Sequence, residues 1–156
     1  KSISFPKQQR DALMNQEAAA MGATRSHFVN PNGLPDENHY TCVYDMYLIF
    51  SNAVKNDTFV SIIGTTSYDV TYTNTSGEAV THTWENTNQY LTGNATTPDG
   101  FQIVGGKTGT TGEAGYCLVL YSYNPSGQPI ISIVFKADGK SNLYLLMNEM
   151  LQGFAI

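Results

Sequence analysis

From Gln102 to Lys136 the chain reads as three β segments, 102–110, 114–123 and 129–136, and the joins between them leave little freedom. Thr111-Gly112-Glu113 and Asn124-Pro125-Ser126-Gly127 hold only three and four residues, rich in turn formers. That suffices for a tight reversal and is far too short for the helical crossover that parallel strands need. The three segments are therefore antiparallel neighbours, and the rest of the chain has to pack around them.

A second period-two stretch precedes them. Tyr68-Asp69-Val70-Thr71-Tyr72 and Ala79-Val80-Thr81-His82-Thr83 flank Thr75-Ser76-Gly77, which predicts a β-hairpin. Elsewhere the pattern is helical. Residues 7–21 are rich in Gln, Ala, Leu, Met and Glu, with Gly22 as a stop. Thr41 is placed to cap a helix carrying Val43, Met46, Tyr47, Phe50 and Val54 on a core face. Ser141 is placed to cap a last helix with Leu143, Leu146, Met147, Met150 and Leu151 inward and Gly153 at its end. Residues 28–35, with two prolines and an Asn-Gly, and the polar stretch 92–100 read as loops. The expected architecture is α+β, an antiparallel sheet packed with helices, in one domain over 1–156.

Charge narrows the partners. A net charge of −5 argues against nucleic acid and provides no basic patch for anionic lipid. No stretch approaches the ~20 apolar residues of a membrane span. Cys42 and Cys117 sit in apolar surroundings and read as buried free thiols, with a disulfide as the alternative. His27, His39 and His82 have no acidic or thiol partner at ligand spacing, so they read as structural, and neither metal nor cofactor is expected. The Asn56, Asn74 and Asn94 sequons read as chance matches. The chain opens on Lys1, which reads as processing or as a piece of something longer.

The run Gly105-Gly106-Lys107-Thr108-Gly109-Thr110-Thr111 through Ala114-Gly115-Tyr116-Cys117 places a Lys-Thr-Gly on a strand. That motif is shared by penicillin-binding proteins and serine β-lactamases. Further segments agree in order and spacing: Met14-Asn15, Ala18, Gly22, Phe28-Val29-Asn30-Pro31-Asn32-Gly33-Leu34-Pro35, His39-Tyr40-Thr41 with Tyr44-Asp45-Met46, and Asn86-Thr87-Asn88-Gln89-Tyr90-Leu91. Together, across residues 11–151, they resemble the later part of serine D-alanyl-D-alanine carboxypeptidases, the low-molecular-mass penicillin-binding proteins. The resemblance implies a partial β-lactamase/transpeptidase-like fold lacking its N-terminal part, in an extracytoplasmic setting, secreted or envelope-associated. Two family motifs have no credible counterpart: Ser-x-x-Lys, which carries the acylated serine, and Ser-x-Asn. Ser4-Phe5-Pro6-Lys7 and Tyr72-Thr73-Asn74 match them in letters and are in the wrong place.

The resemblance also assigns roles. Lys107 would be the catalytic cation beside the nucleophile, the Thr108 hydroxyl would bind the substrate carboxylate, and Gly109 would let the strand lie against the substrate backbone. The Thr110 N–H would be one oxyanion donor. No Arg follows Arg25, so the family's second carboxylate cation is either vacant or falls to Lys136 or Lys140. The implied ligands are a peptidoglycan stem peptide ending in D-Ala-D-Ala and, for the parent enzyme, β-lactam antibiotics. Two functions follow: an enzyme fragment inactive alone, or a non-catalytic peptide-binding module of the same fold. A sheet missing its first strands would leave an apolar edge uncovered, expected to pair with a second copy.

Overall fold

The computed structural model describes residues 6–155. Ser4, of the Ser-x-x-Lys match, lies outside them. The elements in chain order are α1 (Lys7–Ala20), α2 (Val43–Ala53), α3 (Asp57–Ile63), β1 (Ser67–Thr73), β2 (Ala79–Glu85), α4 (Gln89–Thr92), β3 (Gln102–Thr111), β4 (Gly115–Tyr123), β5 (Pro129–Ala137) and α5 (Lys140–Gln152). The class is the expected α+β. β1 and β2 form a two-stranded antiparallel hairpin, and β3, β4 and β5 form an antiparallel sheet in that order.

The three-stranded sheet lies between two helical layers because its strands alternate apolar residues on both faces. On one face Leu118, Leu120 and Val134 pack with Leu143, Tyr144, Met147 and Leu151 of α5. On the other, Val119 and Ile133 pack with Phe50 of α2 and Ile63 of α3. Antiparallel register matches Thr108 with Leu118 and Lys107 with Val119, so neighbouring residues of β3 lean toward opposite layers. β3 and β5 are the sheet's edges.

Gly105 of β3 is set by the close approach of α3, and Gly106 by that of the neighbouring strand β4. A Cβ on Gly105 would sit 2.6 Å from the backbone of Ile63, and one on Gly106 would sit 2.5 Å from the Val119 carbonyl oxygen. Backbone therefore rests on backbone just ahead of Lys107, which fixes the height of the strand against α3.

Two polar clamps hold the helices to the loops that cross them. The Asn15 amide donates to the Phe28 carbonyl (2.7 Å) and accepts from the Phe28 N–H (2.8 Å). Asp45, at the first turn of α2, is 1% exposed and accepts from the Arg25 N–H (2.7 Å) and the Ser26 hydroxyl (2.8 Å). Burial raises the pKa of this carboxyl, but hydrogen bonds from Ser26, Arg25 and Cys42 and the Arg25 charge outweigh it and hold the group below its ordinary value.

Some local expectations are corrected. Thr41 does not cap α2; its hydroxyl is engaged with Ser26 (2.7 Å), and Cys42 occupies the cap position without a side-chain bond to the helix N–H groups. α5 begins at Lys140, so the cap falls at Gly139 rather than at Ser141. Val43, Tyr47 and Leu146 are exposed rather than core. Cys42 and Cys117 are free thiols as expected, but half-buried. The histidines take structural contacts: Nδ1 of His39 accepts from the Val29 N–H (3.1 Å), and Nδ1 of His27 lies 2.6 Å from the Asn38 carbonyl oxygen.

Candidate substrate-binding site

A cleft of about 360 Å³ runs along the start of α5 and the β3 edge. It is lined by Lys107, Thr108, Gly109 and Thr110 of β3, Tyr116 of β4, Lys140, Leu143 and Tyr144 of α5, Thr87 and Asn32. All four residues singled out from the Lys-Thr-Gly strand thus meet in one concavity. A Cβ on Gly109 would meet no atom within 4 Å, so this side of the strand is open. The Lys107 ammonium turns back to the carbonyl oxygen of Thr108.

The loop between β2 and α4 is fixed against this strand from below. Asn86 donates through its amide to the Thr65 carbonyl oxygen (2.8 Å) and accepts from the Asn88 N–H (2.9 Å). Asn88 in turn caps α4 by accepting from the Tyr90 N–H (3.2 Å), and it is fully buried. Its Nδ2 has no partner and faces Gly106, where a Cβ would lie 3.4 Å from it. The Tyr144 hydroxyl accepts from the Gln89 N–H (2.8 Å), which ties α5 to the same loop. Burial raises the Tyr144 pKa and this hydrogen bond lowers it, leaving a net rise that keeps the phenol neutral. The asparagines therefore anchor the loop to the α3–β1 connection and to its own helix, rather than to the sheet by amide bonds. Thr87, between them, meets the Thr108 hydroxyl with its own.

The two candidate cations separate. Lys140 lines the cleft with Lys107. Lys136, in the left-handed region at φ 59°, lines a neighbouring depression with Glu113 and Asp138. It sits where the β4–β5 register slips between Tyr116 and Leu118. Thr87, Tyr116, Leu143, Tyr144 and Asn32 were not singled out as site residues. Thr87, Asn32 and Tyr116 belong to segments that carry the family resemblance, but Asn32 reads as part of a turn, and spacing alone does not reveal which loops close over β3.

The D-alanyl-D-alanine carboxypeptidase family, peptidase S11, matches residues 8–139. A D-alanyl-D-alanine carboxypeptidase of Streptomyces sp. strain K15 is 30% identical over 148 residues, 92% of this chain and 47% of that protein. The carboxypeptidase DacF of Bacillus subtilis is 31% identical over 150 residues, 96% of this chain and 36% of that protein. A solved mutant of the Streptomyces K15 DD-transpeptidase superposes with a TM-score of 0.85 at 28% identity, covering 99% of this chain and 59% of that structure. The chain thus spans less than half the length of these two relatives, and over that span it belongs to the D-alanyl-D-alanine carboxypeptidase family.

Proposed function

We propose that the chain supplies the substrate-facing part of a serine D-alanyl-D-alanine carboxypeptidase acting on peptidoglycan stem peptides outside the cytoplasm. The observation that supports this reading is the cleft in which Lys107, Thr108, Gly109, Thr110 and Lys140 surround an open strand edge. In this reading a carboxylate seated there draws on the lysines and threonines of the lining, Lys107, Lys140, Thr87 and Thr108. Lys140 takes the second-cation role, and Lys136, facing Glu113 and Asp138 in its own depression, does not.

In this reading the parent enzyme's serine attacks the carbonyl of the penultimate D-Ala. The amide C–N bond breaks, the proton from the serine hydroxyl passes to the leaving amine, and water then hydrolyses the acyl ester. Lys107 stabilises the charge that develops, and the Thr110 N–H is one of the oxyanion donors. The serine comes from the part of the family fold that this chain does not match. β-Lactams, which present the same carboxylate and a strained amide, occupy the same cleft.

A fluorescent penicillin separates this reading from a self-sufficient enzyme. The 156-residue chain should bind it reversibly, with no covalent adduct after denaturation. An adduct, above all on Ser4, contradicts the assignment of the nucleophile elsewhere. The outer edge of β5, unpaired among the described residues, is the proposed seat of pairing with a second copy. A monodisperse monomer by light scattering counts against that pairing.

A further inference from the structure

α4 is a single turn, Gln89–Thr92, and one turn of helix does not hold its own shape in water. Its first backbone N–H groups have no partner within the helix. Asn88 accepts from the Tyr90 N–H (3.2 Å), while the Gln89 N–H donates to the Tyr144 hydroxyl (2.8 Å), 55 positions further along the chain. The rest of α4 is held by the same helix, α5. The Tyr90 hydroxyl donates to Oδ1 of Asn148 (2.7 Å), whose Nδ2 donates to the Thr96 carbonyl oxygen (3.2 Å). The Tyr90 and Tyr144 rings meet edge to face, with centroids 5.1 Å apart, and both residues are buried.

Lys140, Tyr144 and Asn148 fall at i, i+4 and i+8, on one face of α5. That face has two duties. Its first turn presents Lys140 to the Lys-Thr-Gly cleft, and the next two turns hold α4. Thr87, whose hydroxyl meets that of Thr108, stands only two residues before Gln89. One helix face thus carries one wall of the cleft and fixes the loop that forms another.

We infer that Tyr144 is a positioning residue for carboxylate binding: by holding the Gln89 N–H, it sets where Thr87 stands relative to Thr108 and Lys140. The inference rests on the proposed function for what occupies the cleft. Phenylalanine in this place keeps the ring contact with Tyr90 but leaves the Gln89 N–H without its acceptor. α4 then moves to find another, and Thr87 leaves Thr108.

Two readouts test this, one of them without ligand. In the parent chain the side-chain protons of Thr87 and Thr108 should show a nuclear Overhauser contact, which Tyr144→Phe should lose. Tyr144→Phe should also weaken binding of N-acetyl-Lys-D-Ala-D-Ala about fivefold, as Thr87→Val does, and the double variant should bind no more weakly than Thr87→Val alone. Gln89→Pro removes the same bond from the donor side, at a first helical position that proline tolerates. It should reproduce both results, and it decides the matter if Tyr144→Phe does not fold. A Thr87–Thr108 contact that is absent from the parent or persists in these variants overturns the inference. So does an unchanged affinity, or a loss of about twenty-fivefold in the double variant, the product of two independent effects. A parent chain that binds no peptide counts against the proposed function alone, since the Thr87–Thr108 contact still reports on Tyr144.

Discussion

The side-chain hydroxyls of Thr87 and Thr108 are hydrogen-bonded to each other, although 21 positions separate them in the chain. One belongs to the loop held by Asn86 and Asn88, the other to the Lys-Thr-Gly strand. Either hydroxyl can be the donor; with Thr87 donating, the Thr108 proton is free for a ligand carboxylate. Thr108→Val should therefore abolish most carboxylate binding. Thr87→Val should weaken it about fivefold, the worth of one hydrogen bond of about 1 kcal/mol, and Thr87→Ser should restore it. Dissociation constants for a D-Ala-D-Ala peptide measure all three.

Lysine position gives a second outcome. Lys140→Met should reduce affinity for a free C-terminal carboxylate about tenfold and leave affinity for the C-terminal amide unchanged. Lys136→Met, in the depression with Glu113 and Asp138, should leave both within error. Equal losses in the two variants would mean a general field of positive charge rather than a seat at Lys140.

The close approach of α3 to β3 makes Gly105 a stability determinant. Gly105→Ala places a methyl 2.6 Å from Ile63 backbone atoms, so the layers must part, at about 1–3 kcal/mol. Thermal unfolding should move down by about 5 °C. Gly109→Ala, with open space at its Cβ, should leave the midpoint near its original value and act on ligand binding instead. Similar midpoints for the two variants would contradict the backbone-on-backbone packing.

Asp45 sets an acid limit on the fold. Its pKa is lowered in the folded chain below the ordinary value of an aspartate, so its contribution to stability is present above that ordinary value. The contribution is lost as pH falls through the lower folded value, because protonation removes the negative charge that strengthens the bonds from Ser26 and Arg25. Urea midpoints between neutral pH and pH 3 should fall for the parent chain and fall less for Asp45→Asn, which starts lower. Parallel pH profiles would contradict the role of this carboxylate.

The sheet was legible because its turns are short and its strands alternate; β3, β4 and β5 lie within one residue of their expected limits. The short helices were not. Asn56-Asp57-Thr58 reads as a chance sequon, whereas Asn56 caps α3 by accepting from the Phe59 N–H (3.1 Å). Asn88 does the same for α4. Both signals are single residues in an Asn-rich chain, and seven- and four-residue helices are too short to show a period. Val43 and Tyr47 share the helical spacing of Phe50 yet stay exposed, since α2 buries only a narrow stripe against the sheet. At the site, Lys107 through Thr110 were legible from one strand motif. The walls supplied by Thr87, Tyr144 and Lys140 depend on which loop and helix fold over that strand, and spacing does not carry that information.

On the proposed function, the Lys-Thr-Gly edge is a carboxylate-binding site in this chain alone. Titration of ¹⁵N-labelled chain with N-acetyl-Lys-D-Ala-D-Ala, followed by its amide shifts, tests this most directly. The expected result is saturable change at Thr87, at Thr108 to Thr110 and at Lys140, abolished when the peptide ends in an amide. Changes elsewhere with these residues still, or the same response to the amide-terminated peptide, would contradict it.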